Sequence, residues 1–419
     1  MRIDKNRAEL NVGGRQHSGG RIIKLHLHIG TEKTGTTSFQ HWLEREHGAL
    51  AAKGILQPIW PKEFRRCGAS RILAVYGQGF APEDDGQQRL GLTTQVAYDT
   101  LCGGLELALA AEIAKRGNGV WVLSNEHLHS RLKTQAQVQR LAGLLKPHFS
   151  EITVHVHLRP QVDIARSISS TMARLGHKVS KNIFDLVVPG SAYYDFAMLV
   201  ARWESVFGAA QVRVIPYKRV PSIRQYFFDL WQLDATDFGP ELSENRSVDW
   251  RIMALVNALH PHRGRLLDAR RLQKVIEEMP AGPALQIGLA RAQEITARMQ
   301  ASNEALVRAR PELTMDDFTP DWAAYDHPEN LSSITAECVF SAQIAEMISE
   351  MQAELLLEKA RSQILQAEKF FVAGQKRQAN EKLDIASALL LRIEPLWGER
   401  DIFNKMRNYM AKVVLDGLA

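Results

Sequence analysis

The sequence predicts an α/β fold, in which a parallel sheet is flanked by helices and followed by an all-helical C-terminal extension. Short apolar runs, IIKLHLHI (22–29), GVWVLS (119–124), EITVHVHL (151–158) and QVRVIPY (211–217), alternate with helix-period segments near 100–116, 134–146, 160–175 and 194–207. Strand, helix, strand in repetition calls for parallel pairing with both faces of the sheet covered. After 217 no strand candidate follows, and the pattern stays helical to the end.

In chain order, residues 1–20 (MRIDKNRAELNVGGRQHSGG) are polar and read as a flexible tail without the apolar centre of a signal peptide. The first strand candidate runs into TSFQHWLEREHGALAAKG, where Phe39, Trp42, Leu43 and Leu50 share one helical face and Gly54 reads as the stop. Residues 57–98, rich in Gly, Pro and polar side chains (YGQGFAPEDDGQQ), show no periodicity and read as a long insertion over the carboxyl edge of the sheet. Helical pattern resumes beyond 247, broken at MPAGPA (279–284) and DDFTPDWAAYDHPEN (316–330). The expected division is therefore tail 1–20, sheet domain 21–330 and helical extension 331–419. Within the extension, Gly374, Ala379, Leu383 and Ala386 have offsets resembling one tetratricopeptide-type hairpin, with Pro395 about four residues late. One repeat cannot bury its own faces, so a hairpin docked on the sheet domain or on a partner is the plainer expectation.

With 45% hydrophobic and 24% charged residues over 419 positions, the composition is that of a soluble globular chain with more than one core. The net charge of +5 is scattered, which suits an anionic small molecule and gives no nucleic-acid stripe. Cys67, Cys102 and Cys338 are too few and too far apart for a disulfide framework or a CxxC metal site, so a reducing cytoplasm is expected. No segment reaches about 18 uninterrupted apolar residues, although work at a membrane surface stays compatible.

The stretch HIGTEKTGTTSFQ (28–40) places Gly30 and Gly35 between a strand and a helix, with Thr36, Thr37 and Ser38 at the helix start. Backbone N–H groups and hydroxyls then converge where a phosphate would lie. The nucleoside-triphosphate loop has the order GxxxxGK[ST], whereas here Thr36 stands in the lysine position and Lys33 lies inside the loop. A nucleotide is expected, but not ATP with magnesium.

These residues resemble the 5′-phosphosulfate loop of the sulfotransferase family, a P-loop-like fold that uses 3′-phosphoadenosine 5′-phosphosulfate (PAPS) as donor. The resemblance implies that Lys33 reaches the bridging oxygen and sulfuryl group. It also implies that amides and hydroxyls of Thr34, Gly35, Thr36 and Thr37 hold the 5′-phosphate. The second half of the family's signature, a strand-end Arg and a Ser eight residues on, is matched by Arg159 and Ser167 in HVHLRPQVDIARSISS, implying a 3′-phosphate site. Pro160 is suited to the helix start between them. LVARWESVFGAAQVRVIPYKR and ENRSVDW (244–250) resemble further segments of bacterial, carbohydrate-type members, so the likeness covers about 22–260. Asn245, Arg246 and Ser247 would close over the 3′-phosphate, or Asn245 or Ser247 would simply cap a helix.

Sulfuryl transfer needs a base for the acceptor proton, positive charge on the moving oxygens and stabilisation of the leaving phosphate. The end of GVWVLS brings Ser124, Asn125, Glu126 and His127 to the loop's edge of the sheet. Glu126 is the first candidate base and His127 the second. The alternative for Glu126 is a carboxylate that only complements the positive end of the next helix. His26, His28, His155 and His157 alternate along two strands and read as hydrogen-bonded core histidines, not as a metal site. The expected function is transfer of a sulfuryl group from PAPS, without a metal, to a hydroxyl of a carbohydrate or glycolipid. The rivals are a P-loop phosphotransferase and a non-catalytic nucleotide-binding scaffold whose C-terminal helices recruit a partner. Acceptor choice would fall to 57–98 and 176–193, and self-association to the C-terminal helices.

Overall fold

The computed structural model describes residues 23–68, 70–240, 247–260, 276, 282–335 and 339–418. Five strands, β1 (Lys24–His28), β2 (Ile55–Leu56), β3 (Val120–Ser124), β4 (Glu151–Leu158) and β5 (Val212–Pro216), form one sheet in the order β2-β3-β1-β4-β5. Every pairing is parallel. The chain turns to one side of β1 for β2 and β3 and then to the other for β4 and β5. The crevice at the carboxyl ends beside β1 is therefore the switch point where open α/β sheets bind ligands.

Strand alternation divides the side chains between two cores. Leu25 and Leu27 of β1, Trp121 and Leu123 of β3, and Val154, Val156 and Leu158 of β4 face the larger core. The smaller core on the opposite face is built from Phe39, Trp42 and Leu43 of the helix Thr36–Arg45, Val122 of β3, and Phe227 and Phe228 of the helix Ile223–Trp231. Phe39 and Phe227 stack with centroids 4.9 Å apart, and burying each ring contributes about 2 kcal/mol.

The four strand histidines point into this second face and are paired there. His26 Nδ1 lies 2.8 Å from His155 Nε2, and His155 Nδ1 lies 2.8 Å from the Tyr226 hydroxyl. His28 Nδ1 bonds Ser124 Oγ at 2.8 Å, and His28 Nε2 meets His157 Nδ1 at 3.2 Å. Burial lowers all four pKa values, to about 4 for His26 and about 3 for His157, so these imidazoles are neutral. No group of three or more metal-ligating side chains occurs among the described residues.

Three expectations need correction. Ile55–Leu56, only two residues long, is a strand that the pattern does not reveal. Residues 57–98 are not an irregular insertion: they contain the helices Arg71–Gln78 and Asp85–Leu90. The first of these is enclosed on nearly every side, with Ile72, Leu73, Ala74 and Val75 all buried, and at eight residues within a Gly-, Pro- and polar-rich stretch it is too short for a repeating period to stand out. Likewise 316–330 is more than a break, because Phe318 and Tyr325 in its two 3₁₀ turns are buried in the larger core.

Beyond β5 the described chain has no strand, only an isolated bridge between Asp249 and Ala284. The helices Val339–Val372, Lys376–Trp397 and Asp401–Leu418 pack around their own apolar clusters, with Gly374 at φ 71° in the turn between the first two. Pro395 lies inside the second helix near its end. Ile348 packs on Leu255, Ala258 and Leu259 of the helix Trp250–Leu259, which joins the extension to the sheet domain. Among the described residues, no helix is long and apolar enough to cross a membrane.

Candidate active site

The chain between β1 and the helix Thr36–Arg45 wraps tightly, with left-handed φ values at Gly30 (71°), Lys33 (69°) and Gly35 (91°). Glycine is required at Gly30 on a second count, since a Cβ there would come within 3.0 Å of Thr36 Cγ2 and 3.3 Å of Glu126 Cβ. Lys33 adopts a conformation that costs a non-glycine residue about 1 kcal/mol or more. It is held there by Arg159, whose Nη1 donates to the Lys33 carbonyl at 2.9 Å.

Gly35 is the N-cap of the following helix, and no side chain caps it. The helix has no acidic residue in its first turn, so its N-terminal N–H groups and positive dipole end face the cavity uncompensated. Thr34 behaves differently from expectation. Its hydroxyl donates to the Thr31 carbonyl at 2.7 Å and its side chain is buried, so it braces the loop and can offer a ligand only its backbone amide.

One cavity of about 1080 Å³ is lined by Lys33, Gly35, Thr36 and Thr37 from the loop, Glu126 and His127 after β3, and Arg159 and Ser167 after β4. It is at the upper end of the size of small-molecule pockets. The structure thus brings these residues together from three neighbouring strand ends. Ser247 also lines it, whereas Asn245 and Arg246 lie outside the described residues. Basic groups predominate in the lining: Lys33, Arg71, Arg89, Arg131, Arg159, Arg166 and Arg174 against Glu32, Asp85, Glu126 and Asp163. That balance suits a multiply anionic ligand. Burial lowers the Lys33 pKa, opposed by the charges of Glu32 and Glu126 and reinforced by Arg174 and Arg159.

Glu126 does not cap the short helix His127–Arg131; the side chain of Asn125 accepts from the His127 amide at 3.0 Å instead. The Glu126 carboxylate is therefore available to the cavity, where Oε2 accepts from Gln40 Nε2 at 2.6 Å. His127 turns Nδ1 toward Glu32 Oε1, 3.6 Å away. Glu32 also accepts from the Tyr193 hydroxyl at 2.8 Å. Burial disfavours the Glu32 carboxylate, but the proximity of His127, Ser130 and His129 outweighs it and holds its pKa well below the usual range. The same anion, together with burial, raises the Tyr193 pKa.

Arg159 also keeps Nε 3.7 Å from Asp163 and lies over the Tyr217 ring at 5.5 Å. Arg166 is engaged elsewhere, donating to the Ala324 carbonyl at 2.8 Å and stacking on Tyr325. Elsewhere in the lining, Arg71 and Arg131 are both tied to Asp85, and Arg131 also to Asp84. Arg71, Asp84 and Asp85 come from the segment 57–98 that the sequence reading left without structure, whereas Arg131 ends the helix His127–Arg131. Glu32, Gln40 and Tyr193 were not assigned roles in that reading either. Glu32 and Gln40 lie within the quoted motif, but Tyr193 is 161 positions from its partner and leaves no spacing to read.

Among solved structures, the chain is similar to the crystal structure of a sulfotransferase from Alicyclobacillus acidocaldarius, at 16% sequence identity and a TM-score of 0.32. The match covers 72% of this chain and 97% of that one. No family model matches the chain, and no curated protein matches it.

Proposed function

We propose that this chain is a PAPS-dependent sulfotransferase acting on a hydroxyl of a carbohydrate or glycolipid. The observation that carries the reading is the single cavity shared by the uncapped loop helix, Lys33, Glu126, Arg159 and Ser167. A 5′-phosphate would lie at the amides of Gly35, Thr36 and Thr37, and a 3′-phosphate at Arg159 and Ser167. The acceptor oxygen attacks sulfur while the bond from sulfur to the 5′-phosphate oxygen breaks. The acceptor proton passes to Glu126, and the charge left on the phosphate oxygen and on the moving sulfuryl group is met by Lys33. His127 is the second reading for the base, favoured by its Nδ1 facing the ionised Glu32.

A P-loop phosphotransferase is disfavoured by Thr36 in the lysine position. The polar wall of Arg71, Asp85, Gln88 and Arg131 supports a polyhydroxylated acceptor, because it offers donors and acceptors at fixed positions. The C-terminal helices, which carry none of these groups, would serve assembly or acceptor delivery. Incubation with PAPS and a panel of carbohydrates and glycolipids tests the activity, with gain of a sulfuryl group read by mass spectrometry. A product formed by wild type and lost in Lys33→Ala supports the reading. Release of phosphate from ATP with magnesium and no reaction of PAPS would favour the phosphotransferase.

A further inference from the structure

The geometry points to Gln40 as the positioning residue that aims the Glu126 carboxylate into the cavity, so that the helix binding the donor phosphate at its N-terminus also holds the proton acceptor from its flank. This rests on the sulfuryl-transfer reading above.

Gln40 follows Thr36 by one helical turn, which puts both on the same side of the helix. Glu126 reaches that side because β3 ends beside β1, with Ser124 in register with His28, and because Gly30 leaves room for the Glu126 Cβ. The contact between Gln40 Nε2 and Glu126 Oε2 is short, at 2.6 Å. Behind it, Gln40 Nε2 lies 3.5 Å from Ser124 Oγ, and Ser124 bonds His28, which meets His157. With the Ser124 hydroxyl hydrogen directed to His28 Nδ1, the serine oxygen faces the amide as an acceptor. The NH₂ end of Gln40 is then the end presented to both Ser124 and Glu126. A neutral amide orients the carboxylate without adding a further positive charge to that of Lys33, which would oppose its taking a proton. The buried histidines thereby have a part in the site without touching the cavity.

Transfer to water, which needs no identified acceptor, provides the test. Water attacks sulfur, the bond from sulfur to the 5′-phosphate oxygen breaks, a water proton passes to Glu126, and sulfate and 3′-phosphoadenosine 5′-phosphate (PAP) leave. Sulfate release and PAP affinity are measured on the full chain for wild type, Gln40→Met, Glu126→Gln and the double variant. Gln40→Met should slow sulfate release about tenfold or more, with PAP affinity within about twofold of wild type. The double variant should be no slower than Glu126→Gln alone, because Gln40 acts only through Glu126. Losses that multiply, or PAP affinity falling in step with turnover, would overturn the proposal. The contact is read separately as a downfield side-chain amide proton of Gln40 that moves upfield in Glu126→Gln; a resonance that does not respond overturns the proposal alone. A wild type that neither binds PAP nor releases sulfate, with that response intact, overturns the sulfuryl-transfer reading and the positioning role with it.

Discussion

Arg159, at the end of β4, donates from Nη1 to the main-chain carbonyl of Lys33, 2.9 Å away and 126 positions earlier in the chain. The guanidinium that the sequence assigns to the 3′-phosphate therefore also braces the loop assigned to the 5′-phosphate, at the residue whose backbone is left-handed.

Two substitutions at the 3′-phosphate end should consequently differ. Ser167→Ala should weaken PAP by about tenfold, the scale of one hydrogen bond to a charged group, and leave adenosine 5′-phosphate unaffected. Arg159→Ala should weaken PAP about 100-fold and also weaken adenosine 5′-phosphate, because the loop loses its brace. Isothermal titration of both nucleotides checks this. Equal loss of both ligands in Ser167→Ala would place the 3′-phosphate elsewhere.

Lys33 is expected to act chiefly on the transition state. Lys33→Ala should lower sulfate release from PAPS by about 100-fold or more, while PAP affinity changes much less. Parallel losses in turnover and PAP binding would make Lys33 a ground-state phosphate anchor.

The strand histidines predict how stability depends on pH. In the folded chain His26 titrates at about 4 and His157 at about 3, with His28 and His155 also well below the ordinary 6.5. The unfolded chain binds these protons near 6.5, so it holds more protons than the folded chain between 6.5 and about 4. Stability should be level above that window and fall as pH drops through it, by about 1.4 kcal/mol per pH unit for each histidine. Glu32, with its depressed folded value, adds loss only below the ordinary carboxylate range. Thermal unfolding between pH 7 and pH 5 provides the check, and an unchanged melting temperature would show that these imidazoles are not held neutral.

The lining of the cavity comes from residues 32–285. Removal of everything after residue 334 should therefore keep PAP affinity within about twofold, while uncovering Leu259 and lowering stability by about 1–3 kcal/mol. Calorimetry on the shortened chain tests this, and sedimentation compares its mass with that of the full chain. A folded fragment without PAP affinity would contradict the assignment of the donor site to the sheet domain.

Four strands were legible because each is an apolar run of five or more residues, and their ends fall within two residues of those read from the pattern. Ile55–Leu56 escaped because two residues cannot show a period, and Arg71–Gln78 because its two turns are embedded in a Gly-, Pro- and polar-rich stretch. Within the site, Lys33, Gly35, Thr36, Thr37 and Glu126 were legible from the strand-to-loop order and Arg159 and Ser167 from their eight-residue spacing, and all of them line the one cavity, with Ser167 inside the helix Gln161–Arg174. Gln40 against Glu126 and Tyr193 against Glu32 were not, because side-chain partners 86 and 161 residues apart follow from packing and leave no local signature. Asn245 and Arg246 lie outside the described residues.

The central claim, a donor site for a 3′-phosphorylated adenine nucleotide, is tested most directly by titrating the full chain with PAP and, separately, with ATP and magnesium. The account predicts one PAP bound per chain, with ATP and magnesium weaker by about 100-fold or more, since Arg159 and Ser167 would be left without their anion. Tight, magnesium-dependent binding of ATP with no binding of PAP would contradict it.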